Sequence, residues 1–400
     1  MDVPLLRDAA VAIADGVIVA AGDANQVITN HPEYAVEDLG DAVLLPGLVN
    51  AHTHLEFSLA ECGAGAGASF GDWLLNIRSR TPAKLDDAAA WTAEQVRAGA
   101  EQSLRFGVTC LGDISQEVRV TRAALAGMTR KPRVVSYGEV LGLAKRRFRV
   151  DELLGYAIDD EFASSMLRIA ITPHAPYTVD RPGYERCLRI AREQNLPLAT
   201  HLAESDRERE FLESHAGPFQ ELWARIGMWE EPVDTFRGSP IAFAQAIGLL
   251  DYPTLLAHVN YCDDEELAIL SRGWASVVYC PRTHRYFNHP PHRWREMLAA
   301  GINVAVGTDS CASSPNLNVI DDLRILHNFA PEVLPHLLWE MATIRGARAV
   351  QMHEQVGTIT SGKRADLITF DVRSLDPLGE ILETSDARPG HIWIDGQQIY

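Results

Sequence analysis

Eight short apolar runs, separated by stretches of helical periodicity, dominate the sequence from residue 43 onward. Continuous apolar runs are typical of parallel strands that are buried on both faces, and helices between them are typical of βα units. The predicted strands are 43–49, 108–113, 133–140, 168–172, 197–200, 254–257, 276–280 and 303–307. The predicted helices include 88–106, 184–194, 264–271, 294–300 and 317–329. Eight such units fit an α/β fold, the eight-stranded βα barrel.

The two ends of the chain have a different pattern. Apolar stretches at 10–13 and 17–21 flank Asp15-Gly16, which is typical of a hairpin turn. Further short strands are predicted at 356–359, 365–370 and 392–396. We therefore expect residues 1–42 and 354–400 to form one small β-domain, with the barrel, residues 43–353, inserted between them.

Residues that can bind metal follow several of the predicted barrel strands. Active sites of βα barrels form at the carboxyl ends of the strands, so these residues are expected to converge. They are His52, His54, His174, His201, His258 and Asp309. His52 and His54 point to the same side of an extended strand because they are two residues apart.

Imidazoles together with a carboxylate form a ligand set suited to one divalent transition metal, with zinc, iron and manganese as alternatives. A metal held in this way lowers the pKa of bound water. Glu204 lies three residues after His201 and is not needed as a ligand. It is therefore the predicted general acid and base.

At these motifs the chain resembles the amidohydrolase superfamily, and within it the deaminases that act on cytosine, adenosine and related rings. The matching segments are 46–54, 174–177, 201–204, 257–259, 307–310, 357–359 and 362–367. The resemblance implies a (β/α)8 TIM barrel with a small β-sandwich domain formed by both termini, and a homodimer. The metal ligands that it implies are His52, His54, His201 and Asp309. It also implies that Glu204, His258 and Asp309 act in catalysis and that His174 contacts the substrate.

Two departures from the superfamily narrow the prediction. Binuclear members carry a carboxylated lysine after the fourth strand, where this chain has His174 and no lysine. That difference favours a mononuclear deaminase. After the seventh strand, Cys280-Pro281-Arg282-Thr283-His284 stands where many relatives have serine and asparagine. His284 is a candidate substrate contact, with a structural role as an equal alternative. The second zinc deaminase class is excluded because its Pro-Cys-x-x-Cys motif does not occur.

Charge and composition exclude several kinds of partner. The formal net charge is −18, from 36 basic and 54 acidic residues, which argues against nucleic acid or an anionic membrane as a partner. Every long apolar run is interrupted by charge, so no transmembrane span is expected. The six cysteines are scattered and the first residues lack a signal-peptide pattern, so we expect a cytoplasmic protein.

The leading functional hypothesis is hydrolytic deamination of an aminated purine- or pyrimidine-type ring. One alternative is a hydrolase that removes halide or alkylamine from a related ring, or that opens a cyclic amide. Another is an inactive binding protein on the same fold, although the complete ligand set argues against it.

Two segments suggest what the small-molecule substrate is. One apolar helical face after the first strand consists of Phe70, Trp73, Leu74 and Ile77. Such a face more often belongs to the core, but its position also makes Trp73 a candidate for covering an aromatic ring. The glycine-rich stretch 63–67 before it lacks the ending of a nucleotide phosphate loop. A basic run at 145–149 offers Arg147 and Arg149 for an anionic tail, with a solvated surface face as the alternative. These features, and a resemblance to aminodeoxyfutalosine deaminases in the Phe-x-x-Trp-Leu pattern, favour an adenine nucleoside with an anionic substituent.

Overall fold

The computed structural model describes residues 5–63, 70–78 and 85–400. The strands in these residues are β1 (Ala9–Ala14), β2 (Val17–Asp23), β3 (Ala42–Pro46), β4 (Leu48–Thr53), β5 (Val108–Ser115), β6 (Arg133–Val140), β7 (Leu167–Pro173), β8 (Leu198–Leu202), β9 (Thr254–His258), β10 (Ser276–Tyr279), β11 (Asn303–Val306), β12 (Leu367–Asp371), β13 (Ile392–Ile394) and β14 (Gln397–Gln398). Residues 1–4 and 64–67, which carry the predictions about a signal peptide and a phosphate loop, lie outside the described part.

The helices in the same residues are α1 (Ala24–Asn30), α2 (Phe70–Arg78), α3 (Leu85–Arg105), α4 (Val118–Ala126), α5 (Val150–Ile158), α6 (Arg181–Gln194), α7 (Arg207–Ser214), α8 (Pro218–Arg225), α9 (Pro240–Ala246), α10 (Asp264–Leu270), α11 (Pro281–Tyr286), α12 (Trp294–Ala299), α13 (Val319–Phe329), α14 (Pro335–Met341), α15 (Ile344–Ala349) and α16 (Pro377–Glu383). Short 3₁₀ helices occur at Leu55–Phe57, Ala144–Arg149 and Leu249–Asp251. Among the helices of the described residues, none is both long and apolar enough to span a membrane.

Strands β4 to β11 form one eight-stranded parallel sheet in chain order. A parallel bridge between Thr53 and Asp309 joins its two edge strands, and the Thr53 hydroxyl donates to the Asp309 carbonyl at 3.0 Å. The sheet therefore curls into the predicted TIM-like barrel. Apolar side chains of successive barrel strands pack into one buried cluster, in which alanines lie beside larger residues such as Tyr137 and Leu255. The alanines include Ala51, Ala170, Ala199, Ala257 and Ala305.

Seven of the eight predicted barrel strands are confirmed, but the first, 43–49, is wrong as a single element. Its first half lies in β3, which pairs antiparallel with β12, and the barrel begins only with β4. The break falls at Gly47, where a Cβ would lie 2.0 Å from the Thr109 hydroxyl. Only glycine can pass so close to that side chain, and the chain changes sheets at this point.

Both chain ends contribute to a small antiparallel structure. Strands β1 and β2 form the predicted hairpin around Asp15 and Gly16, both with positive φ. A second sheet has the order β14-β13-β12-β3 and so contains strands from both ends. The hairpin packs on this sheet through buried Ile18, Leu367 and Trp393. The small sheet from the termini is thus confirmed, while the exact domain division at residues 42 and 354 stays a prediction.

The terminal regions differ in three places from the β-structure expected for them. Residues 24–30 form α1 rather than β-structure, because Asp23 caps the helix by accepting from the Gln26 amide at 3.1 Å. Residues 377–383 form α16, where Asp376 caps the helix and Pro377 occupies the first turn. The predicted strand 356–359 lies in bends and coil.

A buried ion pair links the barrel to the small sheet. Arg133, the first residue of β6, donates to both carboxylate oxygens of Asp366 at 2.7 and 3.1 Å, and also to Asp395. The side chains of Arg133 and Asp366 are each only 1% exposed. A paired arrangement of this kind leaves neither buried charge uncompensated.

Candidate active site

The strand-end residues predicted from the sequence converge at the carboxyl end of the barrel. His52 lies on β4, His201 on β8 and His258 at the end of β9, while His54 and Asp309 follow β4 and β11. All five side chains are buried or nearly so. Two overlapping sets of their ligand atoms lie within 4.8 Å of one another: His52 with His201 and His258, and His52 with His54 and Asp309.

The distances within this cluster fit a single bound metal ion. The Asp309 Oδ1 atom lies 3.5 Å from His54 Nε2 and 3.9 Å from His52 Nε2, and the Nε2 atoms of His54 and His201 are 3.3 Å apart. His52 is fully buried, yet neither of its ring nitrogens has a hydrogen-bond partner among the described residues. A buried polar atom without a partner is costly, and a metal ion at the centre of the cluster would satisfy the Nε2 atom, which faces Asp309.

The electrostatics of the cluster also favour a cation. Burial lowers the pKa of His54 to about 4, and burial together with the neighbouring His54 lowers the pKa of His201 to about 3. Both imidazoles are therefore neutral at pH 7 and keep a lone pair for a metal. Asp309 accepts from the Ser310 amide at 2.8 Å and the Ser313 hydroxyl at 3.2 Å, which orients its carboxylate.

Glu204 lies beside the cluster and is buried. Its Oε1 is 3.5 Å from His258 Nε2, and its Oε2 accepts from the Tyr177 hydroxyl at 3.4 Å. Burial, and then the negative charges of Asp309 and Glu208, raise the pKa of Glu204 well above the ordinary carboxyl value. A raised pKa makes the carboxyl group hold a proton more readily than an exposed glutamate, which suits a general acid.

His174 lies beside His201. The two ring centres are 4.7 Å apart, and the Nδ1 atom of His174 lies 2.8 Å from the Thr178 hydroxyl. Its Nε2 is 4.0 Å from the carboxylate of Glu139, which is 2% exposed. Our sequence reasoning missed both Glu139 and Tyr177. The available signal for Glu139 was an acidic residue just before the end of an otherwise apolar barrel strand.

An aromatic cluster borders the Glu204 side of the site. Trp73, on the predicted helix α2, packs edge-to-face on Phe287 at 5.0 Å, and its indole N–H is buried with no hydrogen-bond partner in the described part of the chain. The rings of Phe70 and Tyr177 are arranged edge-to-face, with their centres 6.3 Å apart. Tyr177 in turn stacks on Phe219 at 4.0 Å, so the long connection after β8 contributes to this wall.

The remaining predicted substrate residues form their ion pairs and hydrogen bonds with residues other than the proposed metal ligands. Arg147 forms an ion pair with Asp180 at 3.3 Å and lines an open surface cavity of about 840 Å³. Arg149 pairs with Glu152 at 3.2 Å on the surface. The His284 Nδ1 atom lies 3.1 Å from the Asn260 side-chain oxygen, so it supports a neighbouring loop.

Comparison with known proteins places these features in context. The sequence pattern of the amidohydrolase family matches residues 43–399. A 5-methylthioadenosine/S-adenosylhomocysteine deaminase from Syntrophobacter fumaroxidans is 31% identical over 380 residues, which cover 91% of this chain and 80% of that protein.

Two solved structures share the fold. The aminofutalosine deaminase of Helicobacter pylori, in complex with methylthio-coformycin, has a TM-score of 0.85 at 24% identity, covering 99% of this chain and 96% of that one. The atrazine chlorohydrolase of Arthrobacter aurescens TC1, complexed with zinc, has a TM-score of 0.82 at 21% identity, covering 98% and 91%. At these identities the likeness establishes the architecture alone.

Proposed function

This chain belongs to the amidohydrolase family, and from that premise we propose that it is a metal-dependent deaminase that hydrolyses the amino group from the purine ring of an adenine nucleoside. One observation carries the proposal: a cluster of three histidines and one aspartate lies beside buried Glu204. The Glu204 carboxylate is 3.5 Å from His258. The deaminase relative at 31% identity supports the choice of substrate class.

In this proposal His52, His54, His201 and Asp309 hold one divalent ion, with zinc as the first candidate. When bound, the metal lowers the pKa of water so that its oxygen becomes a nucleophile near neutral pH. The lone pairs of His54 and His201 stay available because burial keeps both rings neutral.

The chain's own residues then move the protons. The oxygen of water adds to the ring carbon that bears the amino group, and Glu204 transfers a proton from the water to a ring nitrogen. The remaining proton of the former water then goes to the amino group, the C–N bond breaks as a C=O bond forms at the same carbon, and ammonia leaves. The Nε2 atom of His258 lies 3.5 Å from the Glu204 carboxylate. His258 donates to the charge that develops on the attacking oxygen or orients the Glu204 carboxylate. His174 contacts the purine ring.

The aromatic wall is the proposed binding surface for the nucleoside. Trp73 presents a flat apolar face and an unsatisfied N–H, which suits a heterocycle carrying acceptor atoms. His284 is proposed as a loop support rather than a direct contact, because Asn260 engages its Nδ1.

An anionic tail on the substrate remains a separate proposal, assigned to Arg147 and Arg149. The Arg147 side chain is 39% exposed and pairs with Asp180, so a substrate carboxylate would exchange with that partner. Bidentate binding by guanidinium makes arginine suited to this exchange.

A homodimer in the cytoplasm is the proposed form of the enzyme, and light scattering of the purified protein tests the assembly.

The deciding experiment measures ammonia release from adenosine, 5′-methylthioadenosine, S-adenosylhomocysteine and a carboxylate-bearing adenosine analogue, alongside metal analysis of the same sample. We expect about one equivalent of metal and release from at least one nucleoside. Chloride release from a chlorinated ring without deamination would favour the halide hydrolase. Metal below about half an equivalent after expression in metal-supplemented medium, with no turnover, would favour a binding protein.

A further inference from the structure

We propose that Glu208 is a positioning residue, whose buried carboxylate fixes the backbone that carries Glu204. This inference rests on the proposed function, in which Glu204 transfers protons. Glu208 lies in the first turn of α7 and is only 1% exposed, so its carboxylate is directed inward rather than to solvent.

The carboxylate of Glu208 accepts hydrogen bonds from three consecutive backbone amides. Its Oε2 accepts from Ala203 at 2.9 Å, and its Oε1 accepts from Glu204 at 2.7 Å and from Ser205 at 3.0 Å. Burial raises the pKa of Glu208 to about 7, and the three amide donors act in the opposite direction by favouring its ionised form. Hydrogen bonds to that ionised form are about twice as strong as neutral ones. One side chain therefore orients every amide of the segment that presents Glu204.

This segment needs such support because its backbone is strained. Ala203 has a φ of 51°, in the left-handed region, which is unfavourable for an L-residue with a Cβ. The turn at Ala203 lets His201, on β8, and Glu204, after it, reach the same centre. Without a partner for the Ala203 amide, the segment would relax toward an unstrained conformation.

The carbonyl side of the same segment is held independently. The Asn260 side-chain amide donates to the Glu204 carbonyl at 3.1 Å, and the Tyr261 amide donates to the Ala203 carbonyl at 3.2 Å. Asn260 is itself engaged by His284. With Glu208 on the amide side, the Glu204 peptide is fixed from both directions, and a displacement of about 1 Å at a catalytic group can cost about 10²-fold in rate.

The test is a double-mutant cycle on the metal-loaded enzyme. Glu208→Gln keeps the size of the side chain but has one acceptor oxygen, and its NH₂ group faces backbone donors. We expect kcat for the nucleoside to fall by about 10²-fold with KM changed much less and with metal content unchanged. In a Glu204→Gln background the same change should cost almost nothing further, because the residue acts only through Glu204.

Glu210→Gln, on the same helix but exposed, is the matched control and should retain wild-type kcat. If Glu208→Gln does not fold, Glu208→Asp keeps the charge with a shorter reach, and the inference requires a kcat below wild type with metal retained. A kcat within about 3-fold of wild type for the folded variant, or an equal loss in the Glu204→Gln background, overturns the inference. Failure of the proposed function is a different result, since wild type would then release no ammonia and Glu204→Gln would change nothing.

Discussion

At the scale of single residues, the site is a group of side chains that are stable in the fold only together. His52 has no hydrogen-bond partner within the described residues, and Asp309 lies against two imidazoles that burial keeps neutral. A cation at their centre would compensate both, since it offers the histidines a Lewis acid and the carboxylate a positive charge. Each ligand therefore depends on the others, and loss of one is expected to weaken the whole group.

Asp309→Asn is expected to abolish turnover. The Asp309 carboxylate can bind a metal ion and accept a proton from water. An amide binds metal poorly and cannot accept that proton. Steady-state ammonia release, with metal content measured on the same preparation, checks the prediction. Substantial remaining activity would mean that Asp309 has been given the wrong role.

Glu204→Gln is expected to leave the metal content unchanged and to lower turnover by roughly 10²-fold or more, because the amide keeps the shape of the side chain but cannot transfer protons. Metal analysis and kcat measured together separate the two effects. Loss of metal in this variant would instead identify Glu204 as a ligand.

At the scale of elements, the turns at the ends of the barrel strands determine how the side chains of the site converge. Ala203, His258 and Asp309 all have positive φ, between 51° and 74°, immediately before or at proposed active-site residues. Each turn redirects the chain sharply at the barrel rim, so that side chains from separate strands converge. Next to Ala203, the conformation is held from both sides, since Asn260 donates to the Glu204 carbonyl and Glu208, on α7, accepts from the Glu204 amide.

The 3₁₀ helix Ala144–Arg149 carries the prediction about the substrate tail. Arg147→Ala and Arg149→Ala should lower kcat/KM for a carboxylate-bearing adenosine analogue more than for adenosine, because only the first substrate can use a guanidinium partner. The melting temperature of Arg149→Ala should change little, since exposed ion pairs contribute only about 0–1 kcal/mol.

Arg119→Ala, which removes another surface ion pair, is the matched control and should affect both substrates equally. If neither tail variant discriminates between the two substrates, Arg147 and Arg149 serve only their ion pairs with Asp180 and Glu152.

At the scale of the whole molecule, the barrel and the small sheet depend on each other. The chain leaves the small sheet at Gly47 and returns to it with β12, so both ends of the barrel are attached there. The Arg133–Asp366 ion pair lies across this junction and is almost fully buried. Truncation of a buried ion pair leaves an uncompensated charge, which is the costly outcome.

Asp366→Asn should lower the free energy of unfolding by about 3 kcal/mol, since the amide oxygen can still accept one hydrogen bond but the Arg133 charge loses its main partner. Thermal denaturation at a fixed scan rate checks this prediction. Asp371→Asn, at the exposed end of the same strand, is the control and should melt like wild type. An unchanged melting temperature for Asp366→Asn would show that Asp395 alone compensates Arg133.

Sequence periodicity located seven barrel strands because parallel strands are apolar on both faces, and that signal is local. The same signal failed at residues 43–49, since two successive apolar strands belong to different sheets and nothing in the pattern marks the change. It also failed at α1 and α16, which are short helices fixed mainly by capping residues. Trp73 was correctly assigned to a helix because its face has a clear helical period.

The sequence by itself determined the barrel and the identity of the polar residues at its strand ends, because both follow from short-range spacing and from one rule about βα barrels. Only the tertiary structure decided which groups meet. Glu208 and Asn260 hold Glu204, Glu139 lies near His174, and Arg147 turns to Asp180 in a surface cavity. These contacts join residues on different elements, and the strained turns that permit them are stabilised by partners from elsewhere in the fold.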